Sequence, residues 1–213
     1  MSLGSALVLD LFTDRLVAEY TGRTTYAEEL YEKVRLLCLY YNAKCMYEAN
    51  IKGTYSYFSK MNCSHLLADT PEYLRDKQIL KYTSFGNNSK GVRATAAINN
   101  YADALIKEWL IKPVPTVVQE DGEDKETTIP NLYLIRNRAL LKELVAYNPF
   151  INVDRVRALG QLMLFREEKI ILYQGDVKGH RMSEDADYAG NDEFFLENYD
   201  KRFTEEEQNS FMY

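Results

Sequence analysis

Histidine, cysteine and long apolar runs are scarce in this chain of 213 residues, and each scarcity excludes a class of protein. Two histidines, His65 and His180, support neither a Ser-His-Asp arrangement nor a zinc site, which needs more ligands. The three cysteines are an odd number without metal-site spacing, so a reducing cytoplasm fits the chain best. No run approaches the ~20 apolar residues of a membrane span. We therefore expect no membrane partner.

Two sequence signals are also missing. The N-terminus has no charged stretch followed by an apolar core, so we expect no secretion signal. No Gly-x-x-x-x-Gly-Lys-Ser/Thr loop occurs, which excludes a P-loop nucleotide-hydrolysing motor within these residues.

Charge divides the chain into two parts. The net charge is −6, but residues 174–213 contain eleven acids against four bases, whereas residues 1–173 are nearly neutral. Hydrophobic residues make up 46% of the chain, enough for a folded core. We expect one domain over residues 1–173 and an acidic tail over 174–213 that is partly docked or flexible. The body could approach a polyanion, whereas the tail would repel one.

The order of the elements predicts an α/β fold. Residues 6–11 and 16–20 read as a hairpin, and a helix follows that ends near Asn42. An apolar strand then leads directly to Glu48, which is the mark of a crossover onto a sheet. A second hairpin is expected over residues 114–129. Helices are expected over 137–147 and 153–165, and a last short strand over 169–173.

Glu48 is the first candidate site residue. It ends a predicted buried strand, with Asn50, Lys52 and a Gly-marked turn close behind it. Open α/β sheets bind ligands at this position. Mg²⁺ and Mn²⁺ prefer oxygen ligands and often take only one or two protein carboxylates. Asn50 and Lys52 could support that role, but either is equally a turn residue. The alternative for Glu48 is a strand-end carboxylate in solvent or paired with a lysine.

Asp154 is the second candidate, in the first turn of a predicted helix. The helix dipole and free amides favour an acid there whatever its role, so a plain capping residue is the alternative. Gly160, in the same helix, costs ~1 kcal/mol relative to alanine, which predicts close approach to a neighbouring element. Seven basic residues could line a phosphate track or simply be solvated: Lys81, Lys90, Arg93, Arg136, Arg138, Arg155 and Arg157.

The chain resembles the nuclease domain of the large terminase subunit of tailed bacteriophages, which packages and cuts concatemeric viral DNA. The similarity covers roughly residues 6–166, and its order and spacing are more specific than any single motif. The stretches that carry it are Ala6–Leu11 with Leu16–Arg23, Met46–Asn50, Gly91–Thr95, and Leu140–Leu144 with Asn152–Leu159.

The resemblance implies an RNase H-like fold, with a mixed sheet of about five strands and helices on both faces. It also implies a metal-dependent endonuclease in which two Mg²⁺ or Mn²⁺ ions are held by carboxylates. Glu48 and Asp154 match the family's second and third acids. The implied partners are double-stranded DNA and, in the full-length protein, the portal and the small terminase subunit. The implied location is the cytoplasm of the bacterial host of a phage or prophage.

One departure from the family concerns its first acid, which stands on a strand ahead of the hairpin. Here the hairpin follows Met1 to Ser5 at once, and the role does not transfer to Asp10, which lies in the next strand. We expect a fragment cut just after that first strand, without the family's ATP-hydrolysing half. Such a fragment would hold metal weakly and could be inactive as it stands.

Two other functions stay open at this stage. The same fold could serve a junction resolvase or a transposase-like nuclease. The chain could also be a non-enzymatic docking module, because its 17 tyrosines and its acidic tail could bind a protein partner.

Overall fold

The computed structural model describes residues 3–50, 52–77, 79, 90–120, 123–148 and 153–183. These residues form a mixed α/β structure with six α-helices and two antiparallel two-stranded sheets. Chain contacts divide it into two units, Met1–Glu168 and Lys169–Tyr213. The elements are β1 (Gly4–Asp10), β2 (Arg15–Gly22), α1 (Ala27–Tyr40), α2 (Gly53–Lys60), α3 (Tyr73–Asp76), α4 (Ala96–Ile111), β3 (Pro113–Glu120), β4 (Glu123–Pro130), α5 (Arg138–Ala146) and α6 (Asp154–Ser183).

Both predicted hairpins are present, as β1–β2 and β3–β4. A five-stranded sheet is not, because no strand beyond these four forms among the described residues. The predicted strand ending at Glu48 is instead part of a set of three segments, 43–49, 66–69 and 90–92, of which Leu66 ends a short 3-10 helix. These are joined only by isolated bridges, Cys45 to Leu67, Glu48 to Val92 and Asp69 to Lys90. Each bridge joins a single pair of residues, so no continuous ladder forms among these segments. Among the described residues none of them pairs with β1 or β2.

The core of the first unit lies between α4 and α6. Trp109 and Ile98 of α4 and Leu159 and Met163 of α6 are almost completely buried there. Gly160 permits this close packing, because a Cβ atom built on it would lie 3.2 Å from the Cβ of Ala102. The predicted close approach at Gly160 is therefore confirmed.

The C-terminal helix is longer than the sequence indicated. Residues 169–173, predicted as a strand, continue α6. A run of four apolar residues, Ile170–Tyr173, does not distinguish strand from helix by periodicity, and extending an existing helix avoids a new nucleation step. Most of the predicted acidic tail, residues 184–213, lies outside the described residues. None of the described helices combines the length and apolarity that crossing a membrane requires.

Asp14, in the turn between β1 and β2, joins the hairpin to the helices. Its carboxylate accepts two hydrogen bonds of 2.6 Å from Arg166 of α6 and one of 2.7 Å from Lys112. The indole N–H of Trp109 points at the same residue, 3.3 Å from Oδ1. The backbone of Asp14 is left-handed, with φ of 57°, which aspartate tolerates better than most residues.

Burial on its own would raise the pKa of the Asp14 carboxyl, but the hydrogen bonds from Arg166 and Lys112 outweigh it and lower that pKa. A carboxyl group whose pKa is lowered in the folded state stabilises the fold at pH values above its unfolded-state pKa of about 3.9. That stabilisation is lost as the pH falls through the folded-state pKa.

Replacing Asp14 with asparagine tests this anchor without disturbing the left-handed turn. We expect Asp14→Asn to lower the free energy of unfolding by about 2 kcal/mol at pH 7, because a hydrogen-bonded charge is lost. The difference from the native chain should shrink in acid, as measured by urea unfolding at pH 7 and pH 3. Asp124→Asn, at an exposed position of β4, is the matched control. Equal stability at pH 7, or a difference that grows in acid, would contradict the account.

The contact at Gly160 predicts a second change in stability. Gly160→Val places two further methyl groups against Ala102 and Ile106, so overpacking should cost about 1–3 kcal/mol. Ala104→Val, at an exposed position of α4, is the control and should cost only its helix propensity. Thermal unfolding of the three proteins checks this. A Gly160→Val variant as stable as its control would show that α4 and α6 can move apart freely.

Candidate functional site

Glu48 lies where the extended segment 43–49 ends. Its neighbours Tyr47 and Ala49 pair in parallel orientation with Val92. The Val92 N–H donates to the Tyr47 carbonyl, and the Ala49 N–H donates to the Val92 carbonyl, each at 2.9 Å. Earlier in the segment, the Cys45 N–H donates to the Leu66 carbonyl at 2.8 Å. Glu48 therefore stands at the carboxyl end of a segment that pairs in parallel with its neighbours.

Asn50 orients the Glu48 carboxylate. Its Nδ2 donates to Glu48 Oε1 at 2.8 Å and to the Ala94 carbonyl at 3.3 Å, while its Oδ1 accepts the Ala94 N–H at 3.0 Å. The side chain is thus fixed at both ends. Within the described part of the chain Glu48 Oε2 accepts no hydrogen bond, which leaves one carboxylate oxygen available to a ligand.

One edge of segment 43–49 is open. Cys45, Tyr47 and Ala49 all direct their backbone groups to segments 66–69 and 90–92. Alternate residues of an extended chain point to opposite edges. The backbone groups of Lys44, Met46 and Glu48 therefore face the other edge, where they make no backbone hydrogen bond to any described residue.

Asp154 begins α6 and contacts the start of the first hairpin. Its Oδ2 accepts the Leu3 N–H at 3.0 Å, one residue before β1. Because β1 pairs only with β2 among the described residues, its outer edge is also open. Asp154 therefore borders one unpaired strand edge, and Glu48 borders another.

Arg155 holds this end of α6 in place. Its Nε donates to Glu19 Oε1 of β2 at 2.6 Å, its Nη1 donates to Glu143 Oε1 of α5, and its backbone N–H donates to Glu143 Oε2 at 3.0 Å. The Thr21 hydroxyl donates to the same Glu19 oxygen at 2.6 Å. The guanidinium is only 18% exposed. Arg155 is therefore a structural bracket and is not available to a phosphate track.

The other proposed phosphate-binding residues divide by exposure. Arg157 pairs with Asp103 at 3.4 Å and stacks over the ring of Tyr147, and Lys90 pairs with Asp69 at 2.7 Å. Lys81 lies outside the described residues. The members with exposed side chains are Arg93, Arg136 and Arg138.

The donor chemistry at Glu48 and Asp154 fits a hard divalent cation, but the number of donors is low. Each acid uses one oxygen in a hydrogen bond and keeps the other without a hydrogen bond among the described residues. Across the described ranges, no three His, Cys, Asp or Glu side chains form a group that could hold a metal. A complete site would need a further ligand from elsewhere.

Sequence reasoning missed the residues that hold Arg155 beside Asp154. Glu19 and Glu143 lie 136 and 12 positions from Arg155 in the sequence. These separations do not mark them as its partners. Asn50 was already a candidate support for Glu48, and its hydrogen bond to that carboxylate is present. It lies in a turn, where asparagine often binds nearby backbone groups.

Removing the Arg155 guanidinium should destabilise the fold. Glu19 Oε2 is buried and accepts no hydrogen bond among the described residues, so Glu19 depends on Arg155 and Thr21. We expect Arg155→Met to lower the free energy of unfolding by about 3 kcal/mol, because two carboxylates lose their partner. The stability of Arg155→Lys should lie between those of the native chain and Arg155→Met. Its ammonium keeps the charge but cannot reproduce the planar fork of the guanidinium. Urea unfolding measures both, with the exposed Arg138→Met as control.

If Arg155→Met unfolds at the same urea concentration as Arg138→Met, the bracket contributes nothing and α6 is held by its apolar face alone.

Comparison with models of known protein families gives no match for this chain. Curated proteins and solved structures likewise give no match.

Proposed function

We propose that this chain is the metal-dependent nuclease domain of a tailed-bacteriophage terminase, with an RNase H-like sheet that an additional strand would complete. The observation that carries the proposal is the position of the two acids. Glu48 ends segment 43–49, whose outer edge has no backbone partner among the described residues, and Asp154 binds the start of β1, whose outer edge is equally unpaired.

The open edges suit one inserted strand. Leu7 and Leu9 of β1 and Met46 of segment 43–49 pack against the same buried core, so both edges border one apolar layer. A strand between them would join β1 and β2 on one side to segment 43–49 on the other. Segments 66–69 and 90–92 would then form the fifth position, since they occupy successive halves of one edge. The resemblance to the terminase nucleases supplies such a strand, carrying the family's first acid.

A bound metal would depend on the same strand. Among the described residues Glu48 and Asp154 each keep one carboxylate oxygen without a hydrogen bond, and the inserted strand would bring a third carboxylate. Mg²⁺ or Mn²⁺ held there would activate water and stabilise the leaving oxygen of a phosphodiester. The role of this chain's own residues is to orient the ligands: Asn50 fixes the Glu48 carboxylate, and Arg155 fixes the helix end that carries Asp154.

Double-stranded DNA is the proposed substrate. Residues 1–173 are nearly neutral, so the substrate would be held by local basic groups and not by a general positive field. Arg138 is the first residue of α5, and Arg136 lies two residues before it. Both side chains are exposed and available for phosphate contact. In the full-length protein we expect the portal and the small terminase subunit as partners, in the cytoplasm of the bacterial host.

The test is plasmid cleavage by a version of the chain extended upstream, with Mn²⁺ present. We expect Glu48→Gln and Asp154→Asn each to reduce cleavage at least a hundredfold, because each removes a charged metal ligand while keeping side-chain size. Glu29→Gln and Asp124→Asn are the matched controls, at exposed acids of α1 and β4, and should leave cleavage unchanged.

Full cleavage by both site variants would refute the assignment of these acids. A preference for branched over linear DNA would favour the junction-resolving alternative on the same fold. Absence of both metal and DNA binding in the extended version would favour a docking module.

A further inference from the structure

The second hairpin, β3–β4, is largely exposed. Along β4 every side chain from Asp124 to Thr128 is exposed, and Val117 of β3 is 59% exposed. No described side chain of the two strands belongs to the buried core of the first unit or packs against it. A two-stranded ribbon of this kind is only marginally stable in water, so a third strand would stabilise it.

Proline determines which backbone groups of the ribbon face outward. Pro115 of β3 pairs with Thr128 of β4, and Val117 pairs with Glu126 in the same continuous register. Because proline has no N–H, the first of these pairs cannot exchange hydrogen bonds across the ladder. The two kinds of pair alternate along an antiparallel ladder. The backbone groups of Thr128, Glu126 and, in the same series, Asp124 therefore face the outer edge of β4.

The two outer edges of the ribbon differ. The outer edge of β3 lacks two donors, because Pro113 and Pro115 stand there, and prolines on an edge hinder the addition of a strand. The outer edge of β4 keeps the N–H and C=O groups of Asp124, Glu126 and Thr128, which make no backbone hydrogen bond to any described residue outside the ribbon. A further strand can therefore add at β4.

Charge selects the kind of strand that fits this edge. Asp124 and Glu126 are exposed and share one face of β4, since alternate residues of a strand do so. Residues 120–126 contain five acids and one lysine, which disfavours nucleic acid as the partner. A second copy is disfavoured as well, because the antiparallel register that uses all three outward residues places Glu126 opposite its own counterpart.

We propose that the outer edge of β4 binds an extended, basic segment of another protein by strand addition. Lysine or arginine at every second position of that segment would face Asp124 and Glu126, and the side chains between them would lie on the other face, beside Thr127. Backbone hydrogen bonds supply the affinity of such a complex, and the alternation of side chains supplies its specificity. This surface needs only the β3–β4 ribbon, so it stands independently of the proposed nuclease function.

The test measures binding of a fluorescent peptide to the full chain by fluorescence anisotropy. The peptide has eight residues, the length of β4, and its lysines alternate with valine or threonine. The control peptide has the same composition with all of its lysines in one block. We expect the alternating peptide to bind at least about threefold more tightly, because only its lysines can all lie on the face of the two acids.

Matched proline variants distinguish strand addition from attraction between charges. Thr128→Pro removes one outward N–H of β4 without changing the charge, and should weaken binding at least about fivefold. Val117→Pro makes the same kind of change on the outer edge of β3 and should leave the affinity unchanged. Glu126→Lys should instead reverse the preference, towards a peptide in which glutamate replaces lysine. Thermal unfolding verifies that each variant is folded.

Amide hydrogen exchange of the native chain gives a readout that needs no variant. Adding the alternating peptide should slow exchange at the N–H groups of Asp124, Glu126 and Thr128, which would become hydrogen bonded. The N–H of Val117, on the opposite edge, should exchange at its original rate.

The proposal is overturned if the alternating peptide does not bind, or if it binds native chain and Thr128→Pro equally with unchanged exchange along β4. The second result would mean that charge alone holds the peptide, as on the acidic residues 174–213. A dimer of the native chain that Thr128→Pro dissociates would assign the edge to a second copy, and duplex DNA binding lost in that variant would assign it to nucleic acid. Either result would also overturn the proposal.

Discussion

The carboxylate of Asp14 is the contact on which the arrangement of the first unit depends. It lies at the tip of a two-stranded hairpin, and such a hairpin is marginal by itself in water. Two hydrogen bonds from Arg166, one from Lys112 and the approach of the Trp109 indole connect that tip to α4 and α6. The hairpin is therefore held by charge at its tip and by apolar packing of Leu7 and Leu9 along its length.

Arg155 makes the corresponding connection at the other end of the hairpin. It links β2 through Glu19 to α5 through Glu143, and so fixes the first turn of α6. Asp154 is the adjacent residue, and its contact with the Leu3 amide follows from this placement. Glu48 is positioned separately, by the parallel bridge to Val92 and by Asn50. The two candidate acids thus rest on independent supports, each beside an open strand edge.

Local patterns in the sequence predicted much of this fold. The β1–β2 hairpin, the β3–β4 hairpin and the close approach at Gly160 are all present, because each follows from turn chemistry or from the absence of a side chain. The extension of α6 through 169–173 was missed, since a short apolar run fits either structure. The partnership of Asp14 with Arg166 spans 152 positions and could not be read from spacing.

The candidate site shows the same limit. That Glu48 ends an extended segment was predictable from an apolar run ended by an acid and a turn. That Arg155 is bound between two carboxylates was not, because a surface arginine and a bracketing arginine look alike in a sequence. The five-stranded sheet stays a prediction, and it depends on a strand that none of the described residues supplies.

The central claim is that Glu48 and Asp154 border one metal site, which an inserted strand completes. Anomalous scattering from crystals of the upstream-extended chain grown with Mn²⁺ tests it most directly. The account predicts a manganese peak with a carboxylate oxygen of each acid about 2.0–2.6 Å away, the range of oxygen ligands to hard divalent cations. A structure in which the added residues leave both strand edges unpaired, or in which manganese binds away from these two acids, would contradict it.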